Sequence, residues 1–251
     1  MVKKFILTSE IAKAVGVHPN TVRLYEQWGM LPEIPRTPKG YRMFNETHLD
    51  QMKLARAAMS FTWLGGEIRQ TTYQMVYRGT EGDLGGALEL AYQLKVMIQS
   101  ERAHAESAAD FLEKWAGGSP IESTDKKLRI GEVAKLLNTT TDRLRNWERN
   151  GLIEVPRNPM NGYRFYRAKE IGRLRVIRAL CQARYSHMAI LRMLLRLDQG
   201  ETGDLREVLD TPRDDEDIYY ATDKLLSNLA DLKIRAEGVI ALLGETIEKQ
   251  Q

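Results

Sequence analysis

Hydrophobic and polar positions alternate in two ways along this chain: short amphipathic runs first, then a long three/four spacing. The first short run, Ser9 to Gly16, predicts a small helix stopped by glycine, with Thr8 or Ser9 as its cap. His18-Pro19-Asn20-Thr21 opens a second helix that reaches Gly29, its proline standing where a missing N–H costs nothing. Two short helices joined by a tight turn form a helix-turn-helix. Pro32 to Pro38 then reads as extended. Gly40 suits a hairpin turn and the alternation after it, through Phe44, a short strand, so that the segment predicts a β-wing. Helices over 46–57 and 65–77 complete a small core. Leu84, Ala87, Ala91, Leu94, Ile98, Ala105, Ala108, Leu112 and Trp115 then keep a coiled-coil spacing broken by Glu101.

The whole pattern recurs. A shift of 122 residues superimposes Glu10 on Glu132, Arg23 on Arg145, Glu26 on Glu148, Gly29 on Gly151 and Gly40-Tyr41-Arg42 on Gly162-Tyr163-Arg164. With a further one-residue shift, Gly82-Asp83-Leu84 meets Gly203-Asp204-Leu205. The second copy therefore predicts helices over Ile130 to Leu137 and Thr141 to Arg149, a wing from Arg157 to Tyr166, and helices near 168–180 and 187–197. Its long seam is Ile218, Leu225, Leu229, Leu232, Ala236, Val239 and Leu243, with Thr222 as the polar exception. The fold expected is mainly α: winged helix-turn-helix units at 1–78 and 127–197, long coiled-coil helices at 79–115 and 198–251, and a linker at 116–126 containing Gly-Gly-Ser-Pro.

Composition narrows the functional classes. Of 251 residues, one is cysteine, Cys181, which excludes an intramolecular disulfide framework and any Cys-rich zinc module. Cys181 reads as a small buried hydrophobe. No apolar run is long enough for a signal-peptide core or a membrane span, so a soluble, cytoplasmic, nucleoid-associated protein is expected. The formal charge of +3 conceals a segregation. Residues 1–78 carry a net +5 and 126–196 a net +12, whereas 79–125 carry −6 and 197–251 carry −8. Two basic heads on acidic stalks point to a polyanionic partner, with the second head supplying more of the salt-sensitive affinity.

Thr21-Val22-Arg23-Leu24-Tyr25-Glu26, Gly29-Met30-Leu31, Pro35-Arg36 and Gly40-Tyr41-Arg42-Met43-Phe44 resemble the MerR family of transcription regulators. So do Leu144-Arg145-Asn146-Trp147-Glu148 through Ile153, Pro156-Arg157 and Gly162-Tyr163-Arg164-Phe165-Tyr166. The resemblance implies antiparallel coiled-coil dimers that bind pseudo-palindromic promoter DNA, distort an overlong spacer and serve RNA polymerase. This sequence departs from the pattern in carrying two units in one chain, with no effector domain after the second coiled-coil helix, and in lacking the cysteines of metal-sensing relatives. A single-chain pseudo-dimer is favoured over a homodimer. A helix of about 30 residues is about 45 Å long, enough to present two heads one or more DNA turns apart.

The DNA-binding candidates follow from that placement. The first recognition helix offers His18, Asn20, Thr21 and Arg23, and the second offers Thr140, Thr141, Arg143 and Arg145. Arginine reads guanine and asparagine adenine in the major groove. Asp142, near a helix start, reads as a dipole-compensating residue. Arg23 and Arg145 match the DNA-contacting arginine of the family. Arg36, Lys39, Arg42, Arg157 and Arg164 in the wings are expected to hold phosphates, with Tyr41 and Tyr163 adding hydroxyl contacts. Arg56 and Arg178 are weaker phosphate candidates, as are Lys53 and Arg175. Tyr25 and Trp147 read as core aromatics.

A small-molecule effector is conceivable but unsupported. Trp63, Tyr73, Met75, Tyr77 and Tyr92, with Tyr185, Met188, Tyr219 and Tyr220, are expected to be core more than pocket. No cofactor or metal-ligand spacing is evident, His18, His48, His104 and His187 being scattered. No phosphate loop, HExxH pair or nucleophile elbow suggests an enzyme. The alternative reading is an architectural or recombination-accessory DNA-binding protein resembling an excisionase.

Overall fold

The computed structural model describes residues 5–119, 126–212 and 221–250. The first head holds α1 (Thr8–Ala14), α2 (Pro19–Gln27), α3 (Glu46–Ala58), a 3-10 segment (Met59–Leu64) and α4 (Gly66–Thr80), followed by the long α5 (Leu84–Ala116). The second holds α6 (Ile130–Leu136), α7 (Thr141–Arg149), α8 (Ala168–Gln182), α9 (His187–Asp198) and α10 (Leu205–Asp210). A 3-10 turn (Ala221–Lys224) then leads into the long α11 (Leu225–Gln250). The chain divides into two compact units, one of residues 1–100 with 230–251, the other of residues 101–229. Each unit thus contains one head and parts of both long helices.

The helix-turn-helices form as the sequence predicts, but neither Thr8 nor Ser9 caps α1. Both are already near or inside the first turn, and the Glu10 carboxylate accepts the Leu7 N–H at 2.7 Å. Glu132 does the same for Arg129 at 2.6 Å. The turn after each first helix needs a left-handed residue. Gly16 supplies it in one head (φ +67°) and Asn138 in the other (φ +45°), asparagine being the side chain that tolerates this region best.

The expected wing strands do not form. Among the described residues there are isolated antiparallel bridges, Arg36 to Arg42 and Arg157 to Arg164 in the wings, and Ile6 to Phe44 and Leu128 to Tyr166 at their bases. Pro35, Pro38, Pro156 and Pro159 have no N–H to give a ladder, so each hairpin is limited to bonds such as Thr37 N to Tyr41 O (2.8 Å) and Asn158 N to Tyr163 O (2.9 Å). The second wing is one residue longer between its bridged arginines.

In the first unit, Ile11, Val22, Tyr25, Phe44, Met52, Phe61 and Met75 form the head's core. Ala87, Ala91, Leu94 and Ile98 of α5 are buried in this unit, as are Leu232, Ala236, Val239 and Leu243 of α11. Lys95 and Glu237 join the two helices at 2.9 Å. Gln51 is a polar residue inside the head. Its Nε2 lies within bonding distance of Met30 O (3.0 Å), Val76 O (2.8 Å) and Thr80 Oγ1 (2.9 Å), tying α3 to α4 and to the loop after α2.

In the second unit, Leu144, Trp147, Tyr166, Ile171, Leu174 and Leu194 are buried around the head. The later half of α5 adds Ala105, Ala109 and Leu112. Tyr185 donates its hydroxyl to Ala105 O at 3.2 Å, and burial pushes that phenol well above its ordinary pKa. Glu101, which interrupts the seam, pairs with Arg184 at 2.9 Å, and Arg206 pairs with Glu113 at 3.1 Å and with Asp110.

The second long helix departs from the expected 198–251. The repeated Gly-Asp-Leu does start a helix in both copies, with Asp83 Oδ1 accepting Gly86 N (2.9 Å) and Asp204 Oδ1 accepting Glu207 N (3.0 Å). In the second copy that helix is only α10. Pro212 forces Thr211 out of the helical region (φ −123°, ψ 96°), and α11 restarts at Leu225 with Asp210 Oδ1 accepting Leu226 N at 2.7 Å. Ile218, Tyr219, Tyr220 and most of the expected linker lie outside the described residues.

Two outcomes follow from this packing. A Cβ on Gly79 would stand 2.6 Å from Gln51 Oε1 and 2.9 Å from Leu54 Cδ2. Gly79→Ala gains about 1 kcal/mol of helix propensity, but overpacking costs about 1–3 kcal/mol and the Gln51 bonds are disturbed as well. Thermal denaturation is therefore expected to show a lower Tm for Gly79→Ala; an unchanged or higher Tm contradicts the account. Cys181 is half-buried on α8, and burial raises its thiol to about 11 against the opposing pull of Arg143 and Trp147. Because the thiolate is the reactive form, alkylation at pH 8 is expected to run roughly 200-fold slower than for a free thiol of pKa about 8.5, still rising tenfold per pH unit up to pH 9.5. A rate that levels off by about pH 9.5 would show an unperturbed thiol.

Candidate nucleic-acid interface

Each recognition helix has a buried and an exposed face. Val22 and Tyr25 of α2, and Leu144 and Trp147 of α7, anchor the helices in their cores, as the sequence indicates for the two aromatics. Burial raises the Tyr25 phenol, opposed by Arg56 beside it. On the outer face of α2, His18, Asn20 and Arg23 are exposed and Thr21 is half-buried. His18 Nδ1 accepts the Asn20 N–H at 3.2 Å, so this ring caps the helix. Arg23 Nη1 donates to Asn20 Oδ1 at 2.9 Å.

The second recognition helix repeats the design with different chemistry. Thr140 Oγ1 accepts the Arg143 N–H at 3.1 Å as the cap, and Thr141 is half-buried behind it. Arg143 is exposed. Arg145 Nη1 donates to Asp142 Oδ1 at 2.8 Å. The arginine at this position is thus steadied by a neutral amide in one head and by a carboxylate in the other. Asp142, 87% exposed, is free of the core and open to solvent.

The wing arginines are not lone cations. Glu26 accepts from Arg36 Nη2 at 3.0 Å and from Arg42 Nε at 2.6 Å. Glu148 holds Arg157 Nη2 at 3.5 Å and Arg164 Nε at 2.7 Å. One carboxylate on the recognition helix therefore orients two arginines of the wing, leaving each trio a net +1. The Nε bond keeps the terminal amino groups of Arg42 and Arg164 outside it. The repeat already paired Glu26 with Glu148, but sequence position alone assigned them no role.

The remaining candidates separate by position. Lys39, Tyr41 and Tyr163 are exposed at the wing tips, and Arg56 is exposed on α3. Arg178 and Arg175 are half-buried on α8. Lys53 pairs with Asp50 at 3.0 Å, which weakens it as a phosphate candidate. Sequence reasoning overlooked Lys127, Arg129 and Arg167, which line one concavity with Arg164 and Phe165. Their signal was the local density of basic residues in the second head.

Of the aromatic effector candidates, Tyr73 and Tyr77 stack with their ring centres 6.5 Å apart. Met75 and Tyr185 are buried, Tyr92 and Met188 are exposed, and Tyr77 donates to Trp28 O at 3.2 Å. A separate cavity of about 200 Å³ in the first unit is lined by Asp50, Gln51, Leu54, Thr80 and Leu243 among others, and by none of those aromatics. Among the described residues no group of three or more His, Cys, Asp and Glu could hold a metal ion, and no helix is long and apolar enough to cross a membrane.

Comparison with known proteins places this geometry. The model of the MerR HTH family regulatory protein matches residues 7–62 and again 128–197, half of the chain. The mercuric resistance operon regulatory protein of Bacillus cereus is 36% identical over 59 residues, which are 24% of this chain and 45% of that protein. The HTH-type transcriptional regulator ZntR homolog of Haemophilus influenzae is 43% identical over 42 residues, 17% of this chain and 31% of that one. The chain thus spans less than half the length of these relatives. No solved structure matches it. With one family model matched at both of its winged helix-turn-helices, the chain belongs to the MerR family and carries two of that family's units.

Proposed function

We propose that the protein is a transcription regulator that binds double-stranded DNA sequence-specifically through two winged heads. One observation carries this reading: in both heads the recognition helix carries an exposed arginine and, three residues on, a glutamate that orients two wing arginines. Such an array offers one group for base edges and two for phosphates. The relatives named as regulators of transcription support the same reading. His18, Asn20, Thr21 and Arg23 face one half-site, and Thr140, Thr141, Arg143 and Arg145 the other. Lys39, Tyr41, Arg56, Tyr163 and Arg178 join the wing arginines on the backbone.

Because the two heads have diverged, the two half-sites need not match in sequence, and the promoter site is pseudo-palindromic or asymmetric. Asn20 has adenine as its natural counterpart, whereas Asp142 at the matching position offsets the helix dipole and steadies Arg145. Distortion of the bound promoter and engagement of RNA polymerase belong to the same proposal, with the protein acting in the cytoplasm at the nucleoid. The net +12 of residues 126–196 makes the second head the larger source of salt-sensitive affinity.

We propose further that the long helices pair within one chain, making a monomeric pseudo-dimer. The Lys95–Glu237 ion pair and the burial of α5 and α11 residues in the same unit support this arrangement.

Two measurements test these readings. Arg145→Ala is expected to weaken binding to the footprinted site by about 1–3 kcal/mol and to reduce the steepness of its salt dependence. Unchanged affinity and slope would remove Arg145 from the interface, and a footprint at a recombination attachment site in place of a promoter would replace the regulator with an accessory factor. Sedimentation of the DNA-free protein is expected to give the mass of one chain, 28.7 kDa; a stable species of twice that mass contradicts the pseudo-dimer.

A further inference from the structure

The two heads part company at the edge formed by their first residues and the base of the wing. In the second head, Lys127, Arg129, Arg164 and Arg167 line a single open concavity with Phe165 and the wing residues Asn158 and Tyr163. The repeat aligns Lys127, Arg129, Phe165 and Arg167 with Phe5, Leu7, Met43 and Asn45 of the first head. Three cations therefore stand where the first head has two apolar side chains, 49% and 57% exposed, and an amide.

The cations are held in a way that preserves their charge. Lys127 Nζ lies 5.3 Å and the Arg167 guanidinium 5.1 Å from the centre of the Phe165 ring, which attracts both without neutralising either. This contrasts with Arg157 and Arg164, which share the Glu148 carboxylate. Glu132 and Glu170, three residues after Arg129 and Arg167, accept the backbone N–H of those two residues (2.6 and 2.8 Å) as helix caps. No carboxylate is among the described residues lining the concavity. Like charges gathered around one ring repel one another, and an anion entering between them relieves that repulsion.

We propose that this concavity is a phosphate-binding site that grips the DNA backbone outside the second head's half-site, extending the protein's contact on that side only. It rests on the DNA-binding reading above. Continuity supports duplex DNA as the occupant, because Arg164 and Tyr163 belong at once to this concavity and to the wing assigned to the same backbone. Repeating phosphates along a strand match several cations spread over one surface, and each phosphate neutralised adds about 0.9 to the salt slope.

The test uses the full chain and three duplexes: the footprinted core site, the core extended by about one helical turn beyond the second head, and the core extended equally beyond the first. Wild-type protein is expected to bind the second-head extension more tightly than the core, with a salt slope steeper by about 2–3, and to gain little from the other extension. The triple variant Lys127→Ser, Arg129→Ser, Arg167→Ser is expected to lose that gain while binding the core duplex with wild-type affinity. Serine is a favoured N-cap residue, so α6 and α8 keep their starts. Arg129→Lys with Arg167→Lys, which retains the charge, is expected to keep the gain. Equal gains from both extensions in the wild type, or a triple variant that retains its gain, overturns the proposal. Loss of core binding in the triple variant also overturns the confinement to the flank. Failure of the wild type to bind any duplex overturns the DNA-binding reading itself, an outcome separable from the others.

Discussion

In both heads the wing is held in place by one carboxylate. An isolated hairpin with a single backbone bridge is marginal in water, and prolines on the wing prevent a longer ladder. Glu26 and Glu148 supply the missing restraint by bonding two arginines each, one on either side of the hairpin. They also project from the recognition helices, so helix and wing are set against each other by the same group. Neutralising that carboxylate would release two guanidinium groups at once and uncouple the two surfaces that form the candidate interface. The charge balance has a second role: with +1 remaining in each trio, nonspecific attraction to any polyanion is moderated, and the geometry of the pair matters more than its total charge.

Divergence between the copies is concentrated outside this framework. The glutamate, its two arginines and the recognition-helix arginine occur twice, whereas the residues around them change character. Leu24 and Trp28, both partly exposed in the first head, correspond to Asn146 and Asn150 in the second. Asn20 corresponds to Asp142, and the apolar edge at Phe5 and Leu7 to Lys127 and Arg129. The common scaffold is thus kept by interactions that close within each head, leaving the outer surfaces independent.

Much of this was legible in the sequence because it depends on local rules. The helix-turn-helices follow from short apolar periods, Pro19 at a helix start and the repeat itself, and the buried Tyr25 and Trp147 from their place on the inner face. The wings were legible as turns but not as bridges, because a strand prediction registers alternation and not the number of N–H groups available to pair. The true start of α11 was missed for a different reason. Pro212 is a local break signal, but the carboxylate that starts the next helix, Asp210, reaches it across 16 residues. The glutamate–arginine trios and the cations on Phe165 depend on convergence of side chains from separate elements, which spacing does not encode.

The division of the chain also has a consequence in time. The first unit is completed by residues from Ala230 onward, with roughly 130 residues of the other unit intervening. At about 5–20 residues per second, a ribosome needs on the order of 6–26 s to cross that interval. Throughout it, Ala87, Ala91, Leu94 and Ile98 have been synthesised while most of α11, which is buried with them in the finished unit, has not yet been made. The head translated first is therefore the unit finished last, and the nascent chain must carry an uncovered apolar stripe until its final helix arrives.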